Sequence, residues 1–152
     1  MLRLNNKTEQ DFLNKMWVER LQKAGIEIKD NRYWLVDIDG TTYITDDTAE
    51  SVRGFETSLD FERISIMPTY TLAELQYKLS EWHPEYKGLK FGGPIMWKDA
   101  PFYFAQYEGA PDDSPFVVYS EYPICAAAML LANCAKYGAG YVKDISGKQN
   151  GR

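Results

Sequence analysis

Tyr33-Trp34-Leu35-Val36-Asp37-Ile38-Asp39-Gly40-Thr41-Thr42-Tyr43-Ile44-Thr45 is the stretch on which the reading of this chain turns. It admits two incompatible interpretations. As chemistry, Asp37 and Asp39 are two carboxylates, two residues apart, at the end of an apolar run. Alternation along an extended strand points both to one side, as a nucleophile and its general acid require. As structure, Asp39-Gly40 sits between two β-prone runs. It is then a two-residue turn whose central positions need positive φ. The hairpin reading fixes a register: Leu35 opposite Ile44, Val36 opposite Tyr43, and Asp37 opposite Thr42 beside the turn.

The flanking chain favours the hairpin. Upstream, Thr8 to Asp11 resembles a capping box. Phe12, Leu13, Met16, Trp17, Leu21 and Ala24 follow on one helical face. Gly25 is a natural stop, which predicts a helix over about 9–24. Residues 46–62 read as a polar loop with a short helical turn. Arg63 to Met67 reads as a short strand broken by Pro68. Thr71-Leu-Ala-Glu74 is a second capping box, and Leu72, Leu75, Leu79 and Trp82 form an amphipathic stripe. His83-Pro84 closes that helix, because the residue before proline is pushed out of the α region.

From Leu89 onward the chain is aromatic and β-prone. Strands are expected near 89–97, 101–108 and 115–120, punctuated by Lys98-Asp99 and by Glu108 to Asp113. Their simplest arrangement is an antiparallel meander. Ser120 or Tyr122 then caps a third helix with Pro123 in its first turn. Ile124, Ala127, Ala128, Leu131, Cys134 and Ala135 form its inner side, and Gly138 ends it. Its small residues suit close packing on a sheet. Tyr141 to Lys143 reads as an edge strand. The pattern is that of one α+β domain over 1–146, an antiparallel sheet (a β-hairpin plus a three-stranded meander) packed by about three helices, with a mobile tail at 147–152.

Composition bounds the function. The 152 residues fit one domain, and 45% apolar with 26% charged residues is ordinary for a globular protein. Net charge is −5, with no basic stripe, so neither nucleic acid nor an anionic membrane is an expected partner. No apolar run reaches the ~20 residues of a membrane span, and no signal peptide opens the chain. Cys125 and Cys134 are nine residues apart on one expected helix and point to opposite sides of it. They cannot bridge within that helix, and they read as core residues of a reduced, cytoplasmic protein. One histidine and two distant cysteines make no zinc site.

Several phrases recur in a fixed order: Leu21-Gln-Lys-Ala-Gly25-Ile26 ending a helix, Tyr33-Trp34 opening a hairpin, Pro68-Thr69 through Leu75 opening a helix, and Ser120 to Gly138 forming an alanine-rich last helix. In that order they resemble a family of small uncharacterised proteins of bacteriophages and prophages. The likeness spans residues 12–138 and is thinnest over 85–119. It implies a setting, a phage or prophage in a bacterial cytoplasm. It brings no catalytic, cofactor-binding or metal-binding residue.

Asp37-Ile38-Asp39-Gly40-Thr41 also resembles the first motif of haloacid-dehalogenase-type phosphatases. There the first aspartate attacks phosphorus, the second protonates the leaving group, and Mg²⁺ bridges aspartate and phosphate. Thr42 departs from that pattern, where an apolar residue is usual. The parallel βα units of that fold are not evident downstream, and the late acidic motif is missing, since Asp112-Asp113 lies between prolines. His83 has no Ser, Cys or acid in a known constellation and suits a helix C-terminus. Gly92-Gly93-Pro94 lacks the ending of a phosphate loop and reads as a bend or bulge.

Phe102, Tyr103, Phe104 and Tyr107 fall on both sides of one strand. Either helices one and three cover both faces, which is the default, or one set is exposed as an interaction patch. Lys90 and Lys98 are too few to make those aromatics a single-strand nucleic-acid platform. The resulting expectation is an accessory protein that acts by protein binding, on a second copy of itself or on a host or phage protein. A small Mg²⁺-dependent phosphatase using Asp37 and Asp39, and a structural component of a phage assembly, are the alternatives.

Overall fold

The computed structural model describes residues 12–26, 32–38, 40–46, 50–52, 54, 64–81 and 87–138. The fold is α+β. Among the described residues, three helices, α1 (Lys15–Lys23), α2 (Leu72–Ser80) and α3 (Pro123–Asn133), accompany six strands: β1 (Tyr33–Ile38), β2 (Thr41–Thr45), β3 (Ile64–Thr69), β4 (Lys87–Trp97), β5 (Ala100–Glu108) and β6 (Val117–Ser120). A short helical piece lies at 50–52. The strands divide into two antiparallel sheets, ordered β2-β1-β3 and β4-β5-β6.

The hairpin forms in the register its turn dictates. Leu35 pairs with Ile44, Val36 with Tyr43 and Asp37 with Thr42. Gly40 has φ +88°. The first sheet carries two apolar faces. Leu35 and Ile44 join the main core, with Tyr33 and Met67 packed beside them. Val36 meets Val52, flanked by Trp34, Ile38, Tyr43 and Ile66.

β3 runs through Pro68, which pairs with Trp34, to Thr69. The expected break at Pro68 is therefore corrected. β3 is an edge strand, and an edge tolerates a residue with no N–H to donate. Residues just before α1 lie along this end of the strand: the Leu13 amide donates to the Tyr70 carbonyl at 3.0 Å, and the Thr69 hydroxyl donates to the Leu13 carbonyl at 2.6 Å.

α1 starts later than the sequence suggests. Its cap is Asn14, whose side chain accepts from the Trp17 amide at 3.0 Å, and Thr8 to Asp11 lie outside the described residues. With Phe12 and Leu13 buried ahead of the helix, its inner face is Trp17, Val18 and Leu21. Met16, expected inside, is 48% exposed, and Ala24 is the exposed C-cap. Gly25 ends the helix in the Schellman pattern, with Ile26 N–H bonding Leu21 O and Gly25 N–H bonding Gln22 O, both at 3.0 Å.

The Thr71–Glu74 capping box is complete in both directions. Leu75 and Leu79 are fully buried and Leu72 packs beside them. Trp82, His83 and Pro84, expected to finish this helix, lie outside the described residues, as do Tyr141 to Lys143 and the tail at 147–152.

α3 is the centre of the molecule. It packs on α2, on β5 and β6, and on α1. That surrounding buries Ile124, Cys125, Ala126, Ala127, Ala128, Leu130 and Leu131, so the helix is apolar on nearly every side rather than along one stripe. Cys125 and Cys134 are both free and buried. Their opposite directions on the helix are reconciled because core lies on both sides. The last turn, Cys134–Gly138, widens to π geometry.

Candidate functional site

The aspartates come first. Asp37 sits inside the hairpin, opposite Thr42 on β2 and Ser65 on β3. The Thr42 hydroxyl donates to Asp37 Oδ1 at 3.4 Å, and Lys15 Nζ lies 3.9 Å from Oδ2. Both partners of that ion pair are substantially exposed, so it adds little to stability. Asp39 lies outside the described residues. β1 returns directly as an antiparallel β2, whereas a dehalogenase-type site needs its first strand to feed a crossover helix in a parallel sheet. Among the described residues no group of three or more His, Cys, Asp or Glu is placed to hold a metal ion. Asp112 and Asp113 form an exposed turn.

The buried polar groups hold elements together. The Tyr107 hydroxyl donates to the Leu79 carbonyl at 2.8 Å, joining β5 to α2. The Cys134 thiol donates to the same hydroxyl at 3.7 Å. Burial pushes the Cys134 thiol up to about 12, and burial first, then the neighbouring thiol, raises the Tyr107 phenol as well. Neither group is poised to ionise near neutral pH, so neither is an activated nucleophile. Asn133 Nδ2 donates to the Pro115 carbonyl at 2.8 Å, fixing the loop before β6.

The second sheet is where the chain departs from a closed core. β5 pairs with β4 through Ala105–Phe91 and Tyr107–Leu89, and with β6 through Ala105–Val118. These residues point to α3 and join the main core. Residues one step along β5 point the other way. Phe102 pairs with Ile95, and Phe104 pairs with Gly92 on one side and Tyr119 on the other. The Phe104 ring lies over Gly92, where a Cβ would come within 2.6 Å of it. Trp97 continues the row beyond Ile95, next to the hairpin tip at Lys98 and Asp99. Both tip residues have positive φ, and the Lys98 ammonium lies 5.8 Å from the Trp97 ring centroid.

No element of the described residues covers this outward row. Trp97 is 63% exposed, Ile95 47% and Tyr119 48%, with Phe102 and Phe104 half-buried between them. The expectation that helices one and three cover both faces of β5 is corrected. α3 covers one face, and α1 packs on α3 and β3 instead. The five side chains expose roughly 400 Å², from the 150–250 Å² that each aromatic can present. That lies within the size range of functional patches on monomers.

Sequence reasoning pointed to the β5 aromatics but missed Ile95, Trp97 and Tyr119. A signal was available in the bulge at Gly92-Gly93-Pro94. The register shifts there, between Gly92 and Ile95, and this shift puts Ile95 and Trp97 on the side of Phe102 and Phe104. Comparison with protein-family models, curated proteins and solved structures finds no match to this chain. The described residues define an α+β protein of two three-stranded antiparallel sheets, one of them with an apolar face that no described element covers. No helix of the described residues is long and apolar enough to cross a membrane.

Proposed function

We propose that this chain is a phage- or prophage-borne accessory protein of the bacterial cytoplasm that acts by binding another protein through the outer face of β4-β5-β6. One observation carries the reading: Trp97, Ile95, Phe102, Phe104 and Tyr119 form a continuous apolar row with no helix of the described residues over it, while Ala105, Tyr107 and Val118 on the opposite face are packed under α3. Aromatic anchors of this kind dominate binding energy in protein interfaces. The setting rests on the ordered phrases from Leu21 to Gly138 and their likeness to phage proteins.

The test is capture, by the immobilised full chain and by its Trp97→Lys and Ile95→Lys variants, of partners from host lysate to which untagged wild-type chain has been added. Both side chains are largely exposed, so the variants keep the wild-type melting temperature. The proposal expects each variant to reduce capture at least tenfold. Equal capture by wild type and both variants contradicts it.

A further inference from the structure

Resting on that binding reading, we propose that the occupant of this face is a second copy of the same chain, paired face to face about a two-fold axis. The first argument is charge. The chain carries a net charge of −5, so copies repel over most approaches. Between Lys90 on β4, with Glu108 beyond it on β5, and the Lys98-Asp99 turn, the outward positions of the three strands carry no formal charge. This is a direction from which two acidic chains can meet without opposing carboxylates.

The second argument is complementarity of the two ends. A two-fold axis near Ile95 lays the tip of each hairpin, with Lys98 and Asp99, over the base of the other, with Lys90 and Glu108. Each end carries one charge of each sign, so Lys90 can meet Asp99 and Glu108 can meet Lys98 at both rims of an apolar centre, as an isologous interface requires. Two sheets pack in this way about 10 Å apart with their inner faces interdigitated.

The third argument is area. The row and its uncharged neighbours offer roughly 500 Å² on each copy, or about 1,000 Å² in the pair, which is the lower bound of a specific interface. An interface of that size gives a reversible dimer, not an obligate one. Edge-to-edge pairing is the competing route, and the strands oppose it. The bulge around Gly92 to Ile95 interrupts β4, and β6 has four residues.

Sedimentation velocity of the full chain from about 1 µM to about 300 µM tests the proposal, a span chosen for micromolar affinity. The wild type is expected to shift from monomer to dimer with rising concentration. Trp97→Lys is expected to remain a monomer throughout. Lys90→Glu is expected to weaken the dimer at least fivefold, and Asp99→Lys in the same chain to restore it. A wild type that is monomeric at every concentration overturns the proposal, as does a dimer that Trp97→Lys leaves unchanged. A monomeric wild type that still captures a protein through Trp97 overturns self-pairing alone, and loss of Trp97-dependent capture as well overturns the binding reading with it.

Discussion

Gly40 has φ +88° and nothing within 4 Å of where a Cβ would stand. Space is therefore not the constraint there; backbone conformation is. A β-branched residue held at that φ is strained by about 1–3 kcal/mol, a sizeable share of the 5–15 kcal/mol of a typical domain. Gly40→Val should reduce the stability read from urea unfolding by that amount, moving the midpoint down at an unchanged slope. An unchanged midpoint would count against the hairpin turn. The same corner explains Asp37. Its side chain faces Thr42 across the hairpin and Lys15 from α1, so it serves as a polar flank of a turn. Its spacing from Asp39, which gave the phosphatase resemblance, arises equally from the period-two alternation of any strand ending in Asp-Gly.

Elements differ in how plainly the sequence announces them. α2 was legible because a capping box and a leucine stripe are local signals that agree, and Thr71, Glu74, Leu75 and Leu79 all occupy the expected places. The hairpin register was legible for the same reason. α1 was legible in type but not in start: Thr8 and Asn14 are both good caps, and the hydrogen bonds between Leu13, Thr69 and Tyr70 favour an extended entry. β3 was cut short because proline's cost depends on whether a strand is central or at an edge, which is decided by partners distant in sequence. The partition into two sheets, and the cover of β5 on one face only, are likewise tertiary facts with no local signature. Tyr107 shows how tightly the elements are then tied. Its hydroxyl links β5 to α2 and receives the Cys134 thiol from the end of α3. In the unfolded chain Cys134 releases its proton near 9.0, whereas burial in the fold holds it to about 12. Tyr107 is shifted in the same direction. Above pH 9 the unfolded state therefore binds fewer protons than the folded one, and stability falls as pH rises. Thermal midpoints should be insensitive to these two groups below pH 9 and decline progressively from pH 9 toward 12. Tyr107→Phe together with Cys134→Ala should flatten that decline, measured by scanning calorimetry.

Across the whole molecule, α3 is the common wall. It is buried by α1 and α2 and by the inner face of the second sheet, and this leaves the opposite face of that sheet as a broad aromatic surface with solvent access. Three of the seven large apolar side chains exposed among the described residues, Ile95, Trp97 and Tyr119, belong to this face, and a fourth, Met96, alternates to the other face near the hairpin tip. The other three, Met16, Tyr77 and Tyr137, are on helical segments. This distribution supplies an internal reference. Hydroxyl-radical footprinting of the full chain, in dilute and in concentrated solution, reads the accessibility of each side chain by its oxidation. If the sheet face is the binding surface and a second copy its occupant, Trp97 and Tyr119 become several-fold protected at high concentration while Tyr77 on α2 oxidises at an unchanged rate. Equal oxidation of Trp97 and Tyr119 at both concentrations, or protection that falls on Tyr77 instead, would contradict the assignment.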